Sequence, residues 1–450
     1  MRLKLLSLAL ALSAASLPGH GEDLLDAYRE ARANDPTLSQ ADATRLATRE
    51  GVPQARALLL PQINASMGIS QSSYGGSFNS GLNGVDGSGH SRTRTVNGDI
   101  SQTVLDLGKI SDLRAAHSQA DAQDASYQAA LQDLYARVTA AYFNVLTSQN
   151  NLVYAKANED AYRTTYEQAE QRYKVGLSAI TDLLQAKSYY EAARANTVSV
   201  QTTLNDAREA LTQITGKPVG DLKILREELP MQPPSPTDEK AWVQEAAKGN
   251  PNILAQQYSV QAAERSIDSA RAGHLPTINA TLSRGQNTTW TNRGSVPSGT
   301  NQLLNTNGRY ATTIGVTLQV PIFSGGATQS RVRQSIYQRD SAQDSLEITR
   351  RQVTRDTLNY YRLVIAGISQ VESTKAAVDS AQKAVEATRA GFQVGTKTIL
   401  DVLNSIQTLT SAQSSYSQAR HQFVLDKLLL KQSAGNAQVS DLEAINALLQ

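Results

Sequence analysis

Two aspartates, Asp182 and Asp401, hold the same place in a ten-residue phrase that occurs twice. Val175-Gly176-Leu177-Ser178-Ala179-Ile180-Thr181-Asp182-Leu183-Leu184 returns, 219 positions later, as Val394-Gly395-Thr396-Lys397-Thr398-Ile399-Leu400-Asp401-Val402-Leu403. Within each copy the glycine is the only helix breaker, so the phrase reads as a helix–turn–helix tip turning at Gly176 and Gly395. Each aspartate then falls in the first turns of the outgoing helix, where the helix dipole favours a carboxylate. The same carboxylate can also attract cations or meet a base, and only the second copy carries one, Lys397. That is the chemistry of charge and fastening, not of bond-making. The chain has no Walker loop, no zinc-protease helix and no nucleophile elbow. Its five histidines are scattered without ligand spacing. An enzyme, a cofactor and a metal site are therefore not expected.

The elements that must position these tips are unusually long. Lys109 to Val175 contains neither Gly nor Pro for 67 residues, which as one helix would be ~100 Å long. Leu131, Val138, Val145 and Leu152 recur every seven residues, with Tyr127, Leu134 and Ala141 as the second seam. Such a heptad packs against a neighbour as a coiled coil. After Gly176 a further 39 residues free of Gly and Pro run to Gly216, and the 39 residues from Thr396 to Ala434 match them in length. The second long stretch is expected to be broken only at Gly367. Tyr142–Gly216 aligns on Tyr361–Gly435 without a gap, with 15 of 75 positions identical and five of those inside the phrase.

Each half also contains a different texture. Ile63, Ala65, Met67 and Ile69 alternate with polar residues, and Val96 to Val104 reads as the return strand, with a glycine-rich loop expected between Gly75 and Gly89. In the second half Leu275-Pro276-Thr277-Ile278 answers Leu60-Pro61-Gln62-Ile63, and Tyr310 to Val320 alternates through Ile314, Val316 and Leu318. Residues 1–21 read as an export signal, with Arg2 and Lys4 before a short apolar core. Without it Lys+Arg equals Asp+Glu, so the electrostatic footprint for nucleic acid is missing. The absence of cysteine suits an oxidising compartment and excludes disulfides, thiolate metal sites and a lipid-modified N-terminal Cys. No apolar run is long enough for a membrane-spanning helix, so only strands could cross a bilayer.

The expected organisation is a signal at 1–21 and a first repeat at 22–216 with a β-hairpin at 61–106. A Pro-rich linker at 217–237 leads to a second repeat at 238–435, with a β-hairpin at 276–324, and a short end at 436–450. Four strands alone would leave two unpaired edges in hydrocarbon, and membrane barrels need about 8 strands or more, so several chains must share one barrel. The residues by themselves allow a dimer, a trimer or more.

The chain resembles the TolC-like outer-membrane channel-tunnels. The likeness rests on Leu60-Pro61-Gln62, Ser101-Gln102-Thr103-Val104-Leu105-Asp106-Leu107-Gly108-Lys109, Ala141-Tyr142-Phe143-Asn144-Val145-Leu146 and both tip phrases, in order and duplicated. It implies a mixed α/β membrane protein: a homotrimer with a 12-stranded β-barrel in outer-membrane lipid, and an α-helical tunnel in the periplasm closed by the tips. It implies partners too, a periplasmic adaptor and an inner-membrane efflux or ABC transporter, for drug efflux and one-step protein secretion. Asp401 matches a pore carboxylate ring, and Asn404 stands where the family pattern has a second ring Asp. Asp182 matches an anchor of the shut tips. Lys397 matches an Arg that holds the gate against Thr181 and Asp182. Phe392 matches a Tyr that bonds a Gln, here Gln171; Phe lacks the hydroxyl, and Lys lacks the bidentate fork. A looser or differently fastened gate is expected. The family pattern also carries a long polar C-terminal tail, expected to be dispensable here. The competing reading from residues alone is an exported coiled-coil stalk or adhesin without channel activity.

Overall fold

In the computed structural model, residues 22–78, 85–293 and 306–450 are described; the expected export signal at 1–21 lies outside them. The chain forms two units, one of residues 22–43, 125–254 and 348–450, the other of 44–124 and 255–347.

The element order repeats. Helices α1 (Leu24–Asn34), α2 (Pro36–Arg49) and α3 (Gly51–Ala57) precede strands β1 (Gln62–Phe78) and β2 (Val85–Leu105), then helices α4 (Leu107–Lys174) and α5 (Ile180–Thr215). The second half runs α6 (Glu239–Gly249), α7 (Pro251–Ala272), β3 (Thr277–Arg293), β4 (Thr306–Asn307), β5 (Ala311–Gln319), α8 (Ala327–Gln393) and α9 (Ile399–Ala434), and ends in α10 (Val439–Asn446). The repeat extends to single hydrogen bonds. Asp35 and Asn250 each stop one helix and start the next, because a residue before proline leaves the helical region. Each directs its amide to the carbonyl four residues back, at 2.7 and 3.0 Å, and caps the following helix with its side chain. No described helix is long and apolar enough to cross a membrane.

In the first unit, the heptad positions Leu134, Val138, Val145 and Leu152 of α4 are buried, with Tyr127, Leu131 and Ala141 packed against them. Tyr142 is fully buried, and its hydroxyl donates towards the carbonyls of Glu22 (3.0 Å) and Lys223 (2.9 Å). The segment 217–237 is packed against this core: Leu222 and Leu225 are buried, and Ile224 exchanges backbone hydrogen bonds with Gln450. Gly367 does not break α8 as expected. A Cβ added at Gly367 would come within 3.0 Å of the Phe423 ring, so the glycine serves close helix packing and the helix runs on.

The second unit holds an antiparallel sheet in the order β1-β2-β3, with β4 and β5 both paired to β3 as two pieces of one fourth strand. The glycine-rich stretch expected as a loop is mostly strand: pairing continues unbroken from Gln62↔Ser101 to Phe78↔Val85. Glycine lowers strand propensity, but the ladder itself still satisfies the backbone there. One sheet face is aliphatic, with Ile63, Met67, Ile100 and Ile314. The other is small and polar, with Asn64, Ser66, Asn97 and Thr313. Trp290 and Tyr310 are exposed on the aliphatic face, and the side chains of Tyr74 and Phe78 lie outside the described residues.

Candidate functional site

Both hairpin tips belong to the first unit and are built alike. At the first, Leu177 N–H reaches Arg172 O (2.8 Å) and Gly176 N–H reaches Tyr173 O (2.9 Å). At the second, Thr396 N–H reaches Gly391 O (2.8 Å) and Gly395 N–H reaches Phe392 O (3.2 Å). This pair of closures is the Schellman C-cap, and it needs a left-handed residue. Gly176 and Gly395 supply it, with φ of 76° and 82°. Val175, Leu177 and Val394 flank the turns with 68, 72 and 76% of their surface exposed.

The outgoing helices differ in their caps. Asp401 forms a capping box: Thr398 N–H and Thr398 Oγ1 both donate to Asp401 Oδ2 (2.9 Å each), and Asp401 N–H returns to Thr398 Oγ1 (3.2 Å). The Thr398 amide first, and then its hydroxyl, hold the Asp401 carboxyl below the usual aspartate range against an opposing effect of desolvation, with nearby Lys397 adding the least. Asp182 occupies the equivalent third helical position, but its N-cap is Ala179, which has no side-chain acceptor. Asp182 is met by Ser178 Oγ, which donates to Oδ2 at 2.8 Å.

The two hairpins pack on each other beneath the tips, through Tyr162, Ala169, Ala186, Val402, Leu403 and Ile406. Tyr162 donates to Leu403 O (3.1 Å), and Tyr189 donates to Asn404 Oδ1 (3.3 Å). Phe392 is half-buried against this core, with the Arg172 guanidinium 4.8 Å from its ring centroid. Gln171 and Phe392 line one groove. The stem of Lys397 lies over Gly391, where an added Cβ would come within 2.8 Å of Lys397 Cγ. Among the described residues no ion pair or hydrogen bond joins the Lys397 ammonium to Thr181 or Asp182 of the same chain. The structure thus brings Gln171 to Phe392, and Lys397 near Asp401, but keeps the base of one tip apart from the acid of the other.

Arg172, Ser178, Tyr189 and Thr398 are contributors that sequence reasoning passed over. Thr398 alone had a local signal, since Thr-x-x-Asp before an apolar run has the spacing of a capping box.

The chain matches the family described as Outer membrane efflux protein over residues 27–217 and 242–436. It is 32% identical to the Outer membrane protein TolC of Escherichia coli (strain K12) over 440 residues, covering 98% of this chain and 87% of that protein. Its identity to the Alkaline protease secretion protein AprF of Pseudomonas aeruginosa is 27% over 434 residues, covering 94% and 86%. Among solved structures, the CmeC outer membrane channel of Campylobacter jejuni superposes with a TM-score of 0.77 at 17% identity, covering 95% of this chain and 90% of that one. At that identity the likeness speaks for the fold.

Proposed function

The chain belongs to the outer membrane efflux protein family, and from that premise we propose that three copies form one outer-membrane exit duct, gated at the hairpin tips. The chain is a channel of the outer membrane, serving efflux and secretion, and not an enzyme. Residues 22–216 and 238–435 act as two repeats of one plan. Their strands contribute to a shared barrel, and their helices to a periplasmic tunnel. An adaptor and an inner-membrane transporter work with the duct, and the uncovered apolar side chains at Val175, Leu177 and Val394 supply a surface for such a partner.

The observation that carries the gating reading is the asymmetry of the two tips. One offers Asp182 without a capping box, the other Lys397 without an ion pair among the described residues. Hairpins that alternate around a ring bring each such acid beside a base of the adjoining chain, so Lys397 fastens the closed entrance to Thr181 and Asp182. Phe392 contributes packing, stiffened by Arg172, and no hydrogen bond to Gln171. Asp401 lines the narrow entrance as a carboxylate ring, and Asn404 carries no charge beside it.

Reconstitution into a planar bilayer tests the duct directly. Stable single-channel steps with preference for cations are expected. A protein that stays in water and passes no current would leave only the stalk.

A further inference from the structure

The aliphatic face of the sheet ends at a defined level. Going from the helix-linked ends of the strands towards the hairpin turns, the outward positions change from apolar to polar in single steps. Ile69 gives way to Gln71, Val96 to Arg94, Leu282 to Arg284 and Ile314 to Thr312. These steps are not in hydrogen-bond register: Ile69 pairs with Arg94, and Gly98 pairs with Arg284. From β1 to β3 the boundary slips along the ladder, as it must where one level plane cuts tilted barrel strands. On β2 and β3 the first residue past that plane is arginine, and Arg92 is the next outward residue on β2.

An aromatic side chain marks the same level. Tyr310 has the Arg284 guanidinium 5.6 Å from its ring centroid, and tyrosine collects where hydrocarbon meets headgroups. Arg92 Nη2 donates to Gln71 Oε1 at 3.0 Å. Among the described residues no ion pair reaches Arg92, Arg94 or Arg284, and the acidic position on this face of the paired strands, Asp86, stands six residues beyond Arg92 on β2, opposite Ser77. Asp99 lies on the polar face beside Asn64. Three guanidinium groups with no ion pair among the described residues, at the rim of an apolar wall, suit an anion that arrives with hydrocarbon attached. Their planar forks match phosphate oxygens in pairs.

We propose that Arg92, Arg94 and Arg284 bind the phosphate groups of a phosphorylated glycolipid in the outer leaflet, whose acyl chains lie along the aliphatic face below. This rests on the reading of the sheet as part of an outer-membrane barrel. The helix-linked strand ends face the periplasm in that reading, so the arginine level lies at the outer leaflet. Glycolipid, rather than glycerophospholipid, fits because several phosphates on one headgroup can span Arg94 and Arg284 on neighbouring strands.

The test is retention of a purified hexa-acylated, bisphosphorylated diglucosamine lipid by the full chain in mild detergent, read by native mass spectrometry. The wild type should keep this lipid and release the same lipid stripped of phosphate. Replacing all three residues (Arg92→Gln, Arg94→Gln, Arg284→Gln) should weaken retention about tenfold or more, as loss of two or three headgroup charges implies. Arg94→Lys alone should fall between the two. The proposal fails if the phosphate-free lipid is held equally well, a comparison that needs no variant. It also fails if the triple variant binds as the wild type does, or if phosphatidylglycerol competes on equal terms. Bilayer conductance separates the underlying reading: a wild type without channel steps strikes at the barrel itself, whereas intact steps with no phosphate preference strike only at the lipid site.

Discussion

At the tips, a single substitution of charge decides what each carboxylate can do. Asp401 is held ionised by Thr398, so its charge survives as pH falls past the ordinary aspartate value of 3.8. Cation preference should therefore persist to lower pH than a free carboxylate allows, and Thr398→Val should move its loss up towards that value. Asp401→Asn should remove the preference and weaken block by multivalent cations. Asn404→Asp should strengthen block at low salt, because total charge sets the attraction; Tyr189 can donate to either side chain. If Asp401→Asn leaves selectivity and block unchanged, Asp401 only caps its helix. The fastening is a separate matter. An exposed ion pair contributes only ~0.2–1 kcal/mol, yet three symmetric copies can bias a bistable entrance. Lys397→Ala or Asp182→Ala should raise resting conductance and dye leakage without loss of assembly, and Phe392→Tyr should lower both by giving Gln171 a partner. A double-mutant cycle on conductance for Lys397 and Asp182 is the decisive measurement, since fully additive effects would mean that the two side chains never meet. The position of these residues was legible because the phrase is repeated. Their partners were not: Arg172 on Phe392 and Tyr189 on Asn404 join residues more than 200 positions apart, and no local pattern encodes such a contact.

Among the helices, periodicity carried the most information. The seven-residue spacing of Val138, Val145 and Leu152 marks a buried seam, and that seam is buried. Glycine counting was weaker, because the same residue breaks a helix at Gly395 and admits the Phe423 ring at Gly367. Polar residues on a seam were weaker still. His421 of α9 is buried, stacked on Phe143 with ring centroids 5.3 Å apart, and its Nδ1 is 2.7 Å from Thr147 Oγ1. Thr147 spends its only proton on Phe143 O at 2.8 Å, so Nδ1 carries the proton that His421 donates. Burial first, and the Arg420 cation second, push the imidazole down to about 4 from an ordinary 6.5. The unfolded chain takes up that proton earlier, so stability is lost as pH falls from 6.5 towards 4, by about 3 kcal/mol per chain. His421→Phe should flatten that part of the profile, and Thr147 keeps its bond to Phe143. Denaturant midpoints of both proteins between pH 7 and 4 provide the check, and parallel curves would show that His421 is not held neutral in the native seam.

For the whole molecule the argument turns on two strand edges. The order β1-β2-β3 with β4 and β5 beyond leaves β1 and β5 as the outer lanes, each with one side of its backbone unpaired among the described residues. In water such edges invite aggregation, and in hydrocarbon an unpaired backbone group costs several kcal/mol. Closure by copies of the same chain removes both costs, because β1 of one chain then pairs with β5 of the next. Sequence alternation showed that strands existed, but not how many chains close the ring, since closure is a property of shear and tilt and not of any one strand. Extraction in mild detergent should therefore yield a trimer that separates into single chains on heating. The chain contains no cysteine, so introduced thiols report without background. A chain carrying Ser66→Cys in β1 and a cysteine scanned along β5 should cross-link into a closed product of three chains at matching positions. The second-face residues should cross-link with each other and not with the aliphatic face, since a one-residue slip turns every side chain over. A tetramer by mass, or cross-linking that stops at pairs, would sink the shared barrel of three chains and leave the edges to be covered in some other way.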